Sequence, residues 1–375
     1  MMLLSRPDQM QLDRFLEQVT QLAGLELGYP VAFDLDFSAL MPFLAISLNN
    51  AGDPFVPMTY QLNSHEFERE VVSFFADLTR APADQWWGYV TNGSTEGNLY
   101  GLYLARELFP DGIVYFSQDS HYSVSKNLHF LNMRHIMIRS QENGEIDYDD
   151  LRETLRIRRD VPPIIFANVG TTMKEARDDV GRIVSILDEM AIEKRYIHSD
   201  AALCGGYAAY LEPRPSWDFE DGSDSIAISG HKFFASPIPC GVVLAKRAHV
   251  ERIGHSVAYI GSMDTTISGS RNGLTPLILW YAIRALGHEG MKKRIEHALD
   301  TAAYAEERLN KAGIKAWRNP NALTVVFPQP PPDVCEKWQL ATASGNSHII
   351  CMPHITRDKI DEVLNDILAS GAKAT

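Results

Sequence analysis

The sequence predicts an α/β protein: a large domain on a mainly parallel sheet covered by helices on both faces, followed by a smaller C-terminal α+β domain. Three observations lead there. From about residue 65 to 285, amphipathic helical stretches alternate with short β-rich runs, the pattern of parallel strands joined by helical crossovers. After Pro276 the pattern changes to long helical stretches and then two strand-like runs. At 375 residues, the chain is long for one simple core and short for three domains. The expected division is an arm over 1–50, a large domain over 51–275 and a small domain over 276–375.

Each element follows from local pattern. Phe67, Val71, Phe74, Phe75 and Leu78 share one helical face. Gly88-Tyr89-Val90-Thr91 reads as a strand entering a glycine-containing turn, followed by a helix through Leu99 and Leu104. Further strands are expected at Ile113–Phe116, Ile164–Asn168, Tyr196–Ser199, Ser225–Ser229 and Gly241–Ala245. Beyond them come helices at Leu277–Leu286 and Lys292–Ala312, strands at Leu323–Phe327 and His348–Met352, and a last helix near Lys359–Leu368.

Composition excludes several classes. Hydrophobic residues make up 45% of the chain and charged residues 22%, as in ordinary globular proteins. A net charge of −13 opposes nucleic acid and anionic lipid, so neither is expected as a partner. No apolar stretch is long enough to cross a bilayer, and the first residues lack the apolar core of a signal peptide. Cys204, Cys240, Cys335 and Cys351 form no CxxC pair, which suits reduced thiols and a cytoplasmic location. His129, His135, His198 and His231 show no HExxH-like spacing, so no metal site is expected.

Four short segments carry candidate chemistry. Ser225-Ile226-Ala227-Ile228-Ser229-Gly230-His231-Lys232 presents a lysine beyond a strand tip, where it could condense with an aldehyde; alone, such a lysine is more often a solvated charge. His198-Ser199-Asp200-Ala201-Ala202 puts Asp200 at another strand end, able to hold a ring nitrogen protonated or simply to cap a helix. Thr91-Asn92-Gly93-Ser94-Thr95-Glu96-Gly97-Asn98 lies between strand and helix, as a phosphate cradle or a plain capped turn; it lacks the lysine of a nucleotide-triphosphatase loop. His121 follows a strand and could stack on a ring, or be an ordinary hydrogen-bonded loop histidine. All four fall at or beyond the carboxyl ends of predicted strands, where open α/β sheets bind ligands.

The order TNGSTEGN, DSHYS, NVGTT, HSDAA and SGHK resembles the group II pyridoxal-phosphate-dependent amino-acid decarboxylases. Within that family the chain is similar to the bacterial histidine and plant serine decarboxylases. The likeness runs from Leu27-Gly28-Tyr29-Pro30 to Thr324-Val325-Val326-Phe327.

The resemblance implies the aspartate-aminotransferase-like fold (fold type I) with a seven-stranded sheet, pyridoxal 5'-phosphate as cofactor, and a homodimer with active sites at the subunit interface. It implies Lys232 as the lysine forming the Schiff base and Asp200 as partner of the pyridine nitrogen. His121 would stack on the ring, and Ala202 would pack the other face. Gly93, Ser94, Thr95, Ser229 and His231 would surround the phosphate, with Thr172 near the ring hydroxyl or the Asp200 side. Tyr259 sits where relatives keep a tyrosine that can protonate the product carbanion.

The implied reaction is decarboxylation of an L-amino acid, histidine to histamine first. Alternatives are an apolar or aromatic amino acid, serine, or an aldehyde synthase or aminotransferase on the same fold. A catalytically dead binding partner is opposed by the intact Lys232, Asp200 and His121. The run ending at Tyr60, with Gly52-Asp53-Pro54-Phe55, looks closer to the serine enzymes, and Leu274 stands where both relatives tend to carry histidine. Tyr60 and Leu274 are therefore candidate substrate contacts; Leu274 also reads as ordinary core.

Overall fold

Four strands are buried at every position, and that sets the architecture. In the computed structural model, which describes residues 4–257 and 262–370, the chain opens with α1 (Arg6–Ala23), a short 3-10 helix (Ser38–Ala45) and α2 (His65–Leu78). It then runs through β1 (Trp86–Thr91), α3 (Ser94–Leu108), β2 (Ile113–Ser117), α4 (Ser123–Phe130), β3 (His135–Ile138), α5 (Tyr148–Ile157), β4 (Pro163–Asn168), α6 (Val180–Glu189), β5 (Tyr196–Asp200), β6 (Ser225–Ser229) and β7 (Gly241–Lys246). The remainder is α7 (Arg247–Val250), β8 (His255–Val257), β9 (Ser262–Asp264), α8 (Leu274–Lys311), β10 (Thr324–Pro328), α9 (Pro332–Lys337), β11 (Thr342–Ala343), β12 (Asn346–Ile350) and α10 (Arg357–Ala369).

Seven strands form one sheet in the order β1-β7-β6-β5-β4-β2-β3. Every pair from β6 to β3 is parallel, and only β7 runs against its two neighbours. Alternate side chains serve opposite faces. Val114 and Phe116 pack with α3 and α4 residues such as Leu104 and Leu128, whereas Ile113 and Tyr115 pack with Leu151 of α5 and Ile183 of α6. Val242 and Leu244 of β7 meet Val71 and Phe75 of α2 on that second face. Helices therefore cover both sides, as the βα alternation predicts.

The expected strands and helices are present with ends moved by one to three residues: His348–Met352 becomes Asn346–Ile350, and the helix expected from Leu277 begins at Leu274. The two expected late helices join as α8 across a bend at Gly287, whose φ of 58° is left-handed. β3 was not expected: it is a four-residue edge strand with three positions at least partly exposed, so it lacks the apolar run of its neighbours. A three-stranded antiparallel sheet, β10-β12-β11, packs on Ala302 and Leu309 of α8 and Val363 and Ile367 of α10. Among the described residues no helix is long and apolar enough to cross a membrane.

Candidate active site

Pairing register brings the candidate residues to one edge of the sheet. Asp200, last in β5, pairs with Asn168 at the end of β4 and with Ala227 in β6. Ser229, last in β6, and Thr91, last in β1, both pair with Gly241 of β7. The carboxyl ends of β1, β5 and β6 thus form one rim. Lys232 follows three residues after β6.

Asp200 is 7% exposed. It accepts from Asn98 Nδ2 at 2.8 Å and from the Ala202 N–H at 3.2 Å. Burial pushes its pKa up, while Lys232, Asn98 and His121 pull it down. A buried acid in that balance needs a cationic partner. Burial pushes the Lys232 amine below the usual lysine range, against the Asp200 charge. Among the described residues that amine has no hydrogen-bond partner, which suits a nucleophile.

His121 is half-buried. Its Nδ1 lies 2.8 Å from Ser123 Oγ and 3.3 Å from the Ser123 N–H, so Nδ1 accepts and the proton sits on Nε2. Burial lowers its pKa, and the charges of Asp200 and Lys232 both act on it. The three residues are electrostatically coupled in one place.

The phosphate candidates also meet. Ser94 Oγ and Ser229 Oγ are 2.6 Å apart. Gly93 caps α3 at φ 123°, and a Cβ built there would find only His231 Cε1, 3.9 Å away. No side chain caps α3. The Glu96 and Gly97 N–H groups bond to the Gly93 carbonyl, so the Ser94 and Thr95 N–H groups at the start of this 15-residue helix are the donors left for an anion. Beside the unpartnered lysine and the buried acid, this cradle fits pyridoxal phosphate.

Other candidates are less tightly drawn in. Thr172 is exposed on the loop following β4. Tyr60 and Leu274 lie on adjoining segments, joined where Ser64 Oγ donates to the Gly273 carbonyl at 2.6 Å, and no bond links either to Lys232. Tyr259 lies outside the described residues.

Sequence reasoning missed the support behind Asp200. Ser225 Oγ lies 2.7 Å from His198 Nδ1, and His198 Nε2 lies 2.9 Å from Asn98 Oδ1. Because Asn98 offers its oxygen there, the His198 proton is on Nε2 and Ser225 donates to Nδ1. Burial drives His198 down to about 3, so it stays neutral. The available signal was Asn98 itself, four residues beyond Ser94 and on the same helical face.

A lysine and a buried aspartate converging beside an anion cradle, on a mainly parallel seven-stranded sheet, define a pyridoxal-phosphate enzyme of fold type I. The pyridoxal-dependent decarboxylase conserved domain matches residues 43–327. The chain belongs to that family and is a pyridoxal-phosphate-dependent amino-acid decarboxylase, a carboxy-lyase acting on an amino-acid substrate. Similar curated proteins include a histidine decarboxylase of Mesorhizobium japonicum, 52% identical over 97% of this chain and 99% of the relative. Another, from Morganella morganii, is 47% identical over 98% of each. The solved L-methionine decarboxylase of Streptomyces sp. 590, in complex with L-methionine methyl ester, is 26% identical with a TM-score of 0.91, covering 99% of this chain and 96% of that one.

Proposed function

We propose that this enzyme converts L-histidine to histamine and carbon dioxide, with Lys232 holding the cofactor and Asp200 the ring nitrogen. The substrate assignment rests on the near full-length identity, 52% and 47%, to two histidine decarboxylases. When bound, pyridoxal phosphate supplies the electron sink that makes loss of the Cα carboxylate feasible. Lys232, its pKa lowered by burial, would offer its Nζ lone pair to hold the cofactor aldehyde and would displace the product amine from it when the reaction ends. Asp200 keeps a proton on the pyridine nitrogen. His121 and Ala202 would flank the ring, Thr172 would border it, and Gly93, Ser94, Thr95, Ser229 and His231 would hold the phosphate. Tyr259 is the proposed proton donor to Cα, with Tyr60 and Leu274 beside the substrate side chain.

The working form is a homodimer in the cytoplasm. The uncovered apolar face of α1 supports association, and the four unpaired cysteines suit a reducing compartment. Leu274 favours a second reading in which an apolar side chain is the substrate. A screen of the twenty common amino acids for carbon dioxide and amine decides between them: histidine gives stoichiometric amine on our reading. Turnover of leucine, methionine or phenylalanine with none of histidine would reject it. Borohydride reduction of the holoenzyme should fix the cofactor to the Lys232 peptide; a different labelled peptide would remove Lys232 from its role.

A further inference from the structure

Residues 173–177 lie on the loop between β4 and α6, immediately after Thr172. This loop is held at both ends of the active site and from the C-terminal sheet. Val169 N–H donates to the Asp200 carbonyl at 2.8 Å, and a Cβ on Gly170 would come within 2.6 Å of Cys204 Sγ, four residues after Asp200. Lys174 Nζ reaches Asp119, two residues before His121, at 3.0 Å. The loop is thus bonded to the backbone of Asp200 and, through Asp119, to the segment that carries His121.

Further partners come from the C-terminal domain, beside Tyr207 of the large domain, which takes a hydrogen bond from Arg177. His348 Nδ1 lies 3.0 Å from the Met173 carbonyl. Asn319 Nδ2 donates to the Lys174 carbonyl at 2.8 Å and to the Asn143 carbonyl at 2.9 Å. Arg177 donates to the carbonyls of Pro320 and Asn321 at 2.9 and 2.8 Å.

The centre is Glu175, 1% exposed and at φ 53°, where a residue with a Cβ is uncommon. Its carboxylate accepts from the Leu323 N–H at 3.0 and 3.1 Å, from Thr324 Oγ1 at 2.5 Å, from the Tyr207 hydroxyl and from Arg177 at 3.3 Å. A left-handed, buried carboxylate persists only where its surroundings over-determine it. Here Leu323 and Thr324 at the start of β10, with Tyr207 and Arg177, do so.

We propose that Glu175 and Asn319 are positioning residues for the decarboxylation. They clasp the loop after β4 to the C-terminal domain, so that the seating of that domain and the setting of Asp200, Lys232 and His121 are one event. The inference rests on the assignment of Lys232 and Asp200 above. Every group facing the Glu175 oxygens is a donor, so an amide there would set N–H against N–H while keeping the volume. Displacement of a site by about 1 Å from afar costs on the order of 100-fold in rate.

The test compares wild type, Glu175→Gln, Asn319→Ala and Lys232→Ala, each saturated with pyridoxal phosphate, using the amino acid turned over in the screen. For Glu175→Gln and Asn319→Ala we expect retained cofactor, KM within about twofold and kcat lower by about tenfold or more. The pH midpoint of the cofactor absorption band should move with it, which a loss of stability alone would not do. Glu175→Asp should recover part of the rate. Unchanged kcat and band midpoint in both clasp variants would overturn the proposal, and Asn319→Ala decides alone if Glu175→Gln does not fold. A Lys232→Ala protein that keeps full activity would instead overturn the assignment of the site.

Discussion

Asn98 uses both ends of its amide: the oxygen takes the His198 proton, and the nitrogen donates to Asp200. The acid is therefore aimed before any ligand arrives. Asp200→Ala should lower kcat by about 1000-fold at saturating cofactor, the size expected when a preorganised charge is removed. Asn98→Ala should cost about 10- to 100-fold, since it deletes one hydrogen bond to a charged group. Steady-state rates with the cofactor band monitored check both, and equal effects would show that Asn98 does more than orient. A second residue titrates. Glu26 is 8% exposed, and burial drives its carboxyl up to about 7, with the Tyr29 and Gly28 N–H groups opposing. As pH rises from the ordinary glutamate range toward 7, the unfolded chain releases a proton that the folded one retains, so stability falls over that window and is level above it. Glu26→Gln should therefore stabilise the protein at pH 8 by about 3 kcal/mol and hardly at all at pH 4. Urea unfolding at the two values measures it; the same gain at both would place the effect elsewhere.

At the scale of elements, α3 sits so close to β5 and β6 that the interface requires missing side chains. A Cβ on Gly101 would lie 2.2 Å from His198 Nδ1 and 2.8 Å from Ser225 Oγ, and one on Gly97 would meet Ala227 Cβ at 2.9 Å. Gly101→Ala should destabilise by about 1–3 kcal/mol through overpacking. It should also weaken cofactor binding, because His198 supports Asn98; a thermal melt and a cofactor titration report the two effects, and a drop in Tm with unchanged affinity would break that link. The same closeness explains what was legible in the sequence. β2, β4 and β6 are apolar enough to stand out, and Gly93, Asp200 and Lys232 are visible because each ends a strand or follows one. β3 is not, since an exposed edge needs no apolar run. Asn98 and His198 lie inside elements and read as helix and strand. The clasp around Glu175 joins residues 148 and 149 positions apart, and no local pattern encodes such a pairing.

For the whole molecule, α1 is the part whose stability the single chain does not account for. α1 spans 18 residues and buries none of them. Leu12, Phe15, Leu16, Val19 and Leu22 recur at three- and four-residue spacing and are 36–65% exposed, one apolar stripe. An isolated helix of this length is marginal in water, so the stripe needs a cover. In the proposed homodimer a second copy supplies it, and symmetry makes every substitution count twice. Phe15→Asp with Leu16→Asp would remove four apolar side chains per dimer. At about 1.5 kcal/mol each, the loss is about 6 kcal/mol, or roughly four powers of ten in the dissociation constant. Sedimentation at micromolar concentration should then show one chain where the wild type shows two, with activity falling in step because the site is proposed to lie at the interface. A double variant that sediments as a dimer would place the contact on another face. A monomer with full activity would instead leave α1 as the contact and put the whole active site within one chain.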